Sequence, residues 1–131
     1  MRSGPARIFL ASGALLLAVG TVIGAVAAHA LEVSWTADQL AVVHTALLYQ
    51  FVHSLGLLAI GLLLIQIDSA AVRAAGWLVM AGIILFCGSL YLLAAGLSGA
   101  VLATPLGGLL LILGWLVLAA GLLLRWPAAK A

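Results

Sequence analysis

The chain has 131 residues, of which 67% are hydrophobic and only 6% are charged, with a formal net charge of +2. A soluble domain carries roughly 25% charged residues, so this composition excludes a water-covered globular surface and indicates a protein whose solvent is lipid. The basic residues form no stripe and do not alternate with aromatic residues, which argues against nucleic-acid binding. The single cysteine, Cys87, excludes an intrachain disulfide and a cysteine metal cluster.

The first apolar segment, residues 8–30, is long enough to span a hydrocarbon core that needs ~20 residues. A signal peptide is the alternative, because Ala28-His29-Ala30 resembles a cleavage site. The segment is longer than the ~7–15-residue apolar part of such peptides, and three more apolar segments follow. Gly20 and Gly24 have the spacing that lets helix backbones approach closely. They predict either close packing within the bundle or a dimer face.

A capping box marks the start of the second helix. Thr36 and Gln39 have the required spacing, and Asp38 lies in the first turn, where the helix dipole favours a negative charge. The predicted helix, residues 37–67, is roughly 45 Å long at 1.5 Å per residue. It exceeds the hydrocarbon core, so it is expected to tilt or to extend into the interface.

Two further spans complete the predicted fold. The third covers residues 72–96, and the fourth covers residues 104–126, with Thr104 as the N-cap and Pro105 in the first helical position. The chain is therefore predicted to be one all-α membrane domain, residues 1–131, folded as an up-down-up-down bundle of four transmembrane helices. Glycines that recur every seven residues predict a narrow packing seam along the fourth helix, namely Gly107, Gly114 and Gly121.

The basic residues predict the orientation of the bundle. All of them lie at the N-terminus, in the second loop or at the C-terminus, and the first and third loops carry none. The positive-inside rule then predicts that both termini are cytoplasmic and that the first and third loops lie outside. The residues that decide this orientation are Arg2, Arg7, Arg73, Arg125 and Lys130.

The second helix carries an unusually polar stretch near the predicted bilayer midplane. Tyr49 and Gln50 precede His53 by four and three positions, which predicts a shared helix face. Polar groups at this depth usually face the bundle interior or a wet cavity, so a proton or ligand site is one interpretation. The other is structural, with His53 and Gln50 hydrogen-bonding across helices. The predicted polar layer comprises Tyr49, Gln50, His53, Ser89 and Trp115, with Thr21 at a similar depth.

The His53 ring itself is predicted to point into the bundle. An imidazole that faced lipid would leave its nitrogens unpaired, which costs several kcal/mol. The expected contacts are with the fourth helix near Trp115 or with the third helix near Phe86 and Ser89.

A second polar cluster is predicted at the outer face, where two histidines and two carboxylates flank the first loop. Nitrogen and oxygen ligands of this kind suit a metal ion. Their separations depend on the loop, however, and show no ligand spacing, so exposed interfacial side chains are the preferred interpretation. No metal or cofactor is therefore predicted. The residues are His29, Glu32, Asp38 and His44.

Four local patterns occur in order, one in each span. They are Gly24-Ala25-Val26-Ala27-Ala28-His29-Ala30-Leu31, Tyr49-Gln50-Phe51-Val52-His53, Phe86-Cys87-Gly88-Ser89-Leu90-Tyr91-Leu92, and Thr104-Pro105-Leu106-Gly107-Gly108 leading to Gly114-Trp115. Together they resemble the YgdD-like family of small membrane proteins, catalogued as domain of unknown function 423. The resemblance covers nearly the whole chain. It implies a four-helix integral protein of the bacterial inner membrane or an organellar membrane, and it implies no activity.

The sequence leaves two functional hypotheses open. The first is a non-catalytic structural or accessory module, embedded in the lipid bilayer and packed with itself or with a larger membrane complex. The second is a small permeation or ligand-binding protein that uses the polar site around His53. An enzyme is not expected, because neither Cys87 nor Ser54 nor Ser89 belongs to a recognisable nucleophile motif.

Overall fold

The computed structural model describes residues 4–125 as four long helices with short connections. Each helix is long and apolar enough to cross a membrane, which confirms the predicted all-helical fold with four transmembrane helices. The predictions that concern Arg2, Trp126 and Lys130 lie outside the described residues. The helices are α1 (Gly4–Val26, continued by a π-helical turn, Ala27–Leu31), α2 (Ala37–Gln66), α3 (Ala70–Ala94) and α4 (Ala103–Arg125, preceded by a 3-10 turn, Ser98–Ala100).

The helix boundaries follow the local signals, but α3 covers Ala70–Ala94 and not residues 72–96, and the starts of two other helices differ. α1 begins at Gly4 rather than at Ile8, because Pro5 fits the first turn, where the N–H that it lacks would have no partner within the helix. α2 has the predicted capping box, in which Gln39 N–H donates to Thr36 Oγ1 over 3.2 Å and Thr36 N–H donates to Gln39 Oε1 over 2.9 Å.

The second difference is that Thr104 is not the N-cap of α4. The helix begins one residue earlier, at Ala103, so Thr104 and Pro105 both lie in the first turn. Pro105 is tolerated there because the first N–H groups of a helix have no intrahelical acceptor. The Thr104 hydroxyl instead lies 2.7 Å from the Ser89 hydroxyl of α3, a tertiary contact that local capping rules do not predict.

α2 and α3 form the centre of the fold, with α1 packed on α2 and α4 packed on α3. Glycines let α3 and α4 approach closely. The two helices are antiparallel, so each step of seven residues forward along α4 meets a residue about seven positions earlier on α3. A Cβ at these positions would collide with the facing helix. The pairs are Gly107 with the Phe86 backbone, Gly114 with Val79 and Gly121 with Ala71.

α1 and α2 meet along a second glycine seam. A Cβ at Gly20 would lie 3.1 Å from the Phe51 ring, and a Cβ at Gly24 would lie 3.8 Å from Leu47. Both glycines therefore face α2 of the same chain, which is the first of the two alternatives that their spacing left open. Their nearest contacts are therefore within the bundle.

Large apolar side chains cover the outside of the bundle. Leu15 of α1 and Leu116 of α4 are 64% and 60% exposed, and similar residues occur along α2 and α3. A surface of this kind is stable in lipid and not in water. The chain is therefore an integral membrane protein.

Candidate functional site

Gln50 joins three helices in the interior of the bundle. Its side chain is 2% exposed. Its Oε1 accepts a 2.7 Å hydrogen bond from the Tyr91 hydroxyl of α3, and its Nε2 donates over 2.7 Å to the Leu16 carbonyl of α1. We call Gln50, Tyr91 and the Leu16 carbonyl the Gln50 node. It satisfies polar groups of three helices in the bundle interior, and it fixes the relative register of α1, α2 and α3.

Gly20 leaves room for the Gln50 node. It lies one turn after Leu16, and a Cβ at this position would be 3.2 Å from Gln50 Nε2 and 3.1 Å from the Phe51 ring. The missing side chain therefore leaves room for the amide to reach the Leu16 carbonyl from the side. This explains why the close-packing glycine and the buried glutamine occur at the same level.

Ser89 forms a separate polar contact between α3 and α4. It is 3% exposed, and its hydroxyl donates over 2.9 Å to the Phe86 carbonyl within α3. Because that bond uses the Ser89 proton, the Thr104 hydroxyl donates to Ser89 Oγ over 2.7 Å. The contact is structural and does not reach Gln50 or His53.

His53 is half-buried and lies at the edge of the bundle. Its Nδ1 is 2.8 Å from the Tyr49 carbonyl, and because a carbonyl only accepts, Nδ1 carries the proton. The imidazole stacks on the Tyr49 ring, with centroids 5.6 Å apart and planes 10° apart, and its centroid is 6.0 Å from the Trp115 ring. The ring thus lies against Trp115, one of the two predicted neighbours, although the bundle does not enclose it.

A groove of about 230 Å³ opens beside this histidine. Tyr49 is 40% exposed on its wall, and Phe86 of α3 lies behind it with a ring-centroid distance of 4.6 Å to Tyr49. Trp115 reaches the site because Gly56 leaves room for it, since a Cβ there would lie 2.5 Å from the indole. We call this feature the His53 groove, and its lining residues are Leu48, Tyr49, Val52 and His53.

The structure does not join the residues of the predicted polar layer into one hydrogen-bonded group. Tyr49 and Gln50 are adjacent residues, so helix geometry places them ~100° apart, and they face different neighbours. Gln50 faces α1 and α3, whereas Tyr49 and His53 face the edge beside α4. Thr21 belongs to neither group, because its hydroxyl is exposed and donates to the Leu17 carbonyl of its own helix over 2.9 Å. The predicted residues therefore divide between the Gln50 node, the Ser89–Thr104 contact and the His53 groove.

The four outer-face residues are all exposed. Within residues 4–125, no three His, Cys, Asp or Glu side chains come close enough to hold a metal ion. The structure therefore does not bring His29, Glu32, Asp38 and His44 together as a ligand set.

Sequence reasoning missed Tyr91 as the partner of Gln50. A signal was available, because a buried phenol hydroxyl usually finds an acceptor, and antiparallel pairing of α2 and α3 puts Tyr91 near the level of Gln50. It also missed the second role of Gln39, whose Nε2 donates to the Ala94 carbonyl over 2.9 Å. That bond links the start of α2 to the end of α3.

Comparison with known proteins identifies similar chains without known activity. Residues 23–108 match the family described as "Protein of unknown function (DUF423)". This segment contains the first three of the four local patterns and the Thr104–Gly108 part of the fourth. Gly114 and Trp115 lie beyond it.

Whole-chain relatives occur in several bacteria. The chain is 46% identical over 120 residues to a UPF0382 membrane protein of Staphylococcus saprophyticus, covering 88% of this chain and 96% of the relative. It is 41% identical over 118 residues to the UPF0382 membrane protein YwdK of Bacillus subtilis, covering 86% and 93%. It is 40% identical over 101 residues to a UPF0382 membrane protein of Haemophilus influenzae, covering 76% and 80%. No solved structure matches the chain.

Proposed function

We propose that this chain, which belongs to the DUF423 family of membrane proteins of unknown function, is a non-catalytic accessory module that acts by binding other membrane components. The enclosure of its nucleophilic side chains is the observation that supports this proposal. Cys87 is 2% exposed and Ser54 is fully buried, and the Ser89 hydroxyl is engaged with Thr104. Covalent catalysis needs a nucleophile that a substrate and a base can reach.

Gly88 on α3 marks the surface through which such a module would assemble. Glycine in a helix interior is roughly 0.5–1 kcal/mol less favourable than alanine. The seam glycines offset that cost through close contacts, but a Cβ at Gly88 would meet no atom of the described residues within 4 Å. Packing among the described residues therefore gives no reason for glycine here, and we propose a contact outside the chain as that reason.

The surroundings of Gly88 suit a second transmembrane helix. A groove of about 350 Å³ opens to the lipid at this position, and small residues at its centre allow two backbones to approach closely. We propose a second copy of this chain as the occupant, because a two-fold axis beside Gly88 would pack the same face of α3 against itself. The groove is lined by Ile84, Leu85, Gly88, Ser89, Leu92, Ala100 and Ala103.

The test is the oligomeric state of Gly88→Leu in lipid nanodiscs, measured by light scattering or chemical cross-linking. We expect the parent to be a dimer and Gly88→Leu to be monomeric with an unchanged helix content. Ala14→Leu, which places the same leucine side chain at an exposed position on α1, serves as the matched control and should remain dimeric. A monomeric parent, or a dimer that Gly88→Leu leaves intact, would refute this assembly.

A second candidate function is the binding of a small ligand, and the open His53 groove supports it. Gln50 is closed off from lipid, whereas Tyr49 and His53 are reachable from it. A polar and aromatic surface that faces lipid near the middle of α2 is unfavourable unless something binds there.

For the orientation, we propose cytoplasmic termini and a cytoplasmic second loop. Arg7 and Arg73 lie at the same end of the bundle, because α1 and α3 both start there. Arg73 also forms a 2.7 Å ion pair with Asp68 in the second loop. Reporter fusions after Ala131 and within residues 95–102 are expected to report opposite sides of the membrane, with the C-terminus cytoplasmic. A reporter after Ala131 that is active outside the cell would overturn this orientation.

A further inference from the structure

We infer that the His53 groove binds a lipid-soluble hydroxyaromatic molecule, a phenol or a quinol, whose O–H donates a hydrogen bond to His53 Nε2. This inference rests on the second candidate function, the binding of a small ligand, and it specifies the chemical class of that ligand.

The tautomer of His53 decides which kind of group the site accepts. Nδ1 donates its proton to the Tyr49 carbonyl over 2.8 Å. In the neutral ring the other nitrogen, Nε2, then carries a lone pair and no proton, so it can only accept. A ligand with only carbonyl or ether oxygens offers this nitrogen nothing, whereas an O–H group matches it.

Nε2 is both unpartnered and accessible. Within residues 4–125, the His53 ring forms one hydrogen bond, through Nδ1, and none through Nε2. In this part of the chain, Ser54 Oγ is the fully buried side-chain atom that lacks a hydrogen-bond partner, so Nε2 of His53 is not fully buried. Nε2 is therefore not enclosed by the described residues, and it lies at the edge of the bundle that faces lipid.

No neighbouring side chain of the node can serve as the missing donor. The Gln50 amide already donates to the Leu16 carbonyl, and the Tyr91 hydroxyl already donates to Gln50. Both belong to the Gln50 node between α1 and α3, and not to the edge beside α4. The Tyr49 and Trp115 rings lie against His53, but no hydrogen bond of the described residues reaches Nε2, so its donor is expected to come from outside the bundle.

The walls of the groove define the rest of the ligand. Leu48 and Val52 are 62% and 53% exposed and form an apolar rim. The rings of Tyr49 and His53 stack with planes 10° apart, and Trp115 and Phe86 flank them. Aromatic rings prefer offset or edge-on contact with other rings. A flat aromatic body with one hydroxyl uses both features, and the lipid-facing opening requires it to be membrane-soluble.

The size of the groove sets an upper limit on the part that enters. Its volume of about 230 Å³ is below the ~300–1,000 Å³ of pockets that hold drug-sized ligands. One or two fused rings therefore fit, and an attached alkyl or isoprenoid tail would remain in the lipid.

The test compares two probes that differ in a single O–H group, 2-naphthol and 2-methoxynaphthalene. The full chain, labelled with ¹⁵N in its histidine rings, is reconstituted in nanodiscs and titrated while imidazole nitrogen resonances are recorded by NMR. We expect one protonated and one unprotonated nitrogen at His53, and a saturable shift of the unprotonated one with 2-naphthol. The dissociation constant should be about tenfold lower for 2-naphthol than for its methyl ether, the ratio expected for one net hydrogen bond.

Two variants separate the hydrogen bond from simple packing. His53→Phe keeps a flat ring and removes the acceptor, so it should bind both probes with equal affinity. His53→Gln can place an amide oxygen near the Nε2 position and should retain a preference for 2-naphthol. Helix content and thermal unfolding are measured for both variants to verify that the bundle is intact.

The outcomes distinguish this inference from the function on which it rests. If the parent binds both probes equally, the ligand site exists and the assignment of a hydroxyl donor is overturned. If neither probe shifts a His53 resonance, the His53 groove is not a site for this class of ligand, and the second candidate function loses its support. A protonated Nε2 in the free protein would overturn the tautomer argument directly.

Discussion

Gly107→Ala is expected to lower the free energy of unfolding by about 2 kcal/mol, whereas Gly108→Ala should raise it by about 0.5–1 kcal/mol. The two glycines are adjacent in the first turns of α4, and both changes add one methyl group. At Gly107 the new Cβ would overlap the backbone nitrogen and Cα of Phe86. At Gly108 it would lie 3.6 Å from the Phe86 ring, an ordinary van der Waals contact.

The opposite signs follow from what the methyl group meets. Backbone atoms in the middle of α3 cannot move aside, so Gly107→Ala has to separate α3 from α4, and overpacking of this kind typically costs 1–3 kcal/mol or more. Gly108→Ala gains helix propensity of up to ~1 kcal/mol and meets no obstacle.

The measurement is the unfolding of both variants by dodecyl sulfate in mixed micelles, followed by circular dichroism. Should Gly107→Ala fail to fold, that also agrees with the expectation, provided that Gly108→Ala folds. Equal stabilities of the two variants would contradict the close approach of α3 and α4.

The features that could be predicted from the sequence are those with local causes. Transmembrane length, the capping box of Thr36 and Gln39, and the seven-residue glycine spacing on α4 each follow from one segment of chain. The glycine spacing correctly indicated a face for close contact, but which helix fills it depends on the fold. Gly13 and Gly61 have similar contacts in the seam between α1 and α2.

The candidate site was harder to predict because it depends on helix rotation. Sequence spacing places Gln50 and His53 within one turn of each other, but a rotation of a few tens of degrees decides whether each residue meets lipid or a neighbouring helix. The roles of Tyr91 and Thr104 depend on their tertiary partners, Gln50 and Ser89, and could not be predicted from local sequence. Depth in the membrane was therefore predictable from the sequence, and the direction of each side chain was not.

Gln50→Leu is expected to lower the free energy of unfolding by about 2 kcal/mol. The change removes two interhelical hydrogen bonds, each contributing ~0.6 kcal/mol on average and at most ~1.7 kcal/mol. It also leaves the Tyr91 hydroxyl without its acceptor, and an unsatisfied buried group costs ~1–3 kcal/mol. The apolar leucine offsets part of that loss, because its volume is close to that of glutamine.

A double-mutant cycle separates the bond from the packing around it. Tyr91→Phe removes the hydroxyl that Gln50→Leu would leave unsatisfied. The double variant is therefore expected to be no less stable than Gln50→Leu alone. Additive losses would mean that Gln50 and Tyr91 are not coupled, and would refute the 2.7 Å bond between them.

The closed Gln50 node, which holds the helices together, is separate from the open His53 groove. Comparing Gln50→Leu with His53→Phe tests this division most directly. Among the described residues, the hydrogen bond of the His53 side chain is to the Tyr49 carbonyl of its own helix. Its loss should therefore change the free energy of unfolding by less than about 0.5 kcal/mol, within the range for residues outside a core or network. Gln50→Leu, unfolded in the same mixed micelles, should lose about 2 kcal/mol. An equal loss for the two variants, or a larger loss for His53→Phe, would contradict this division.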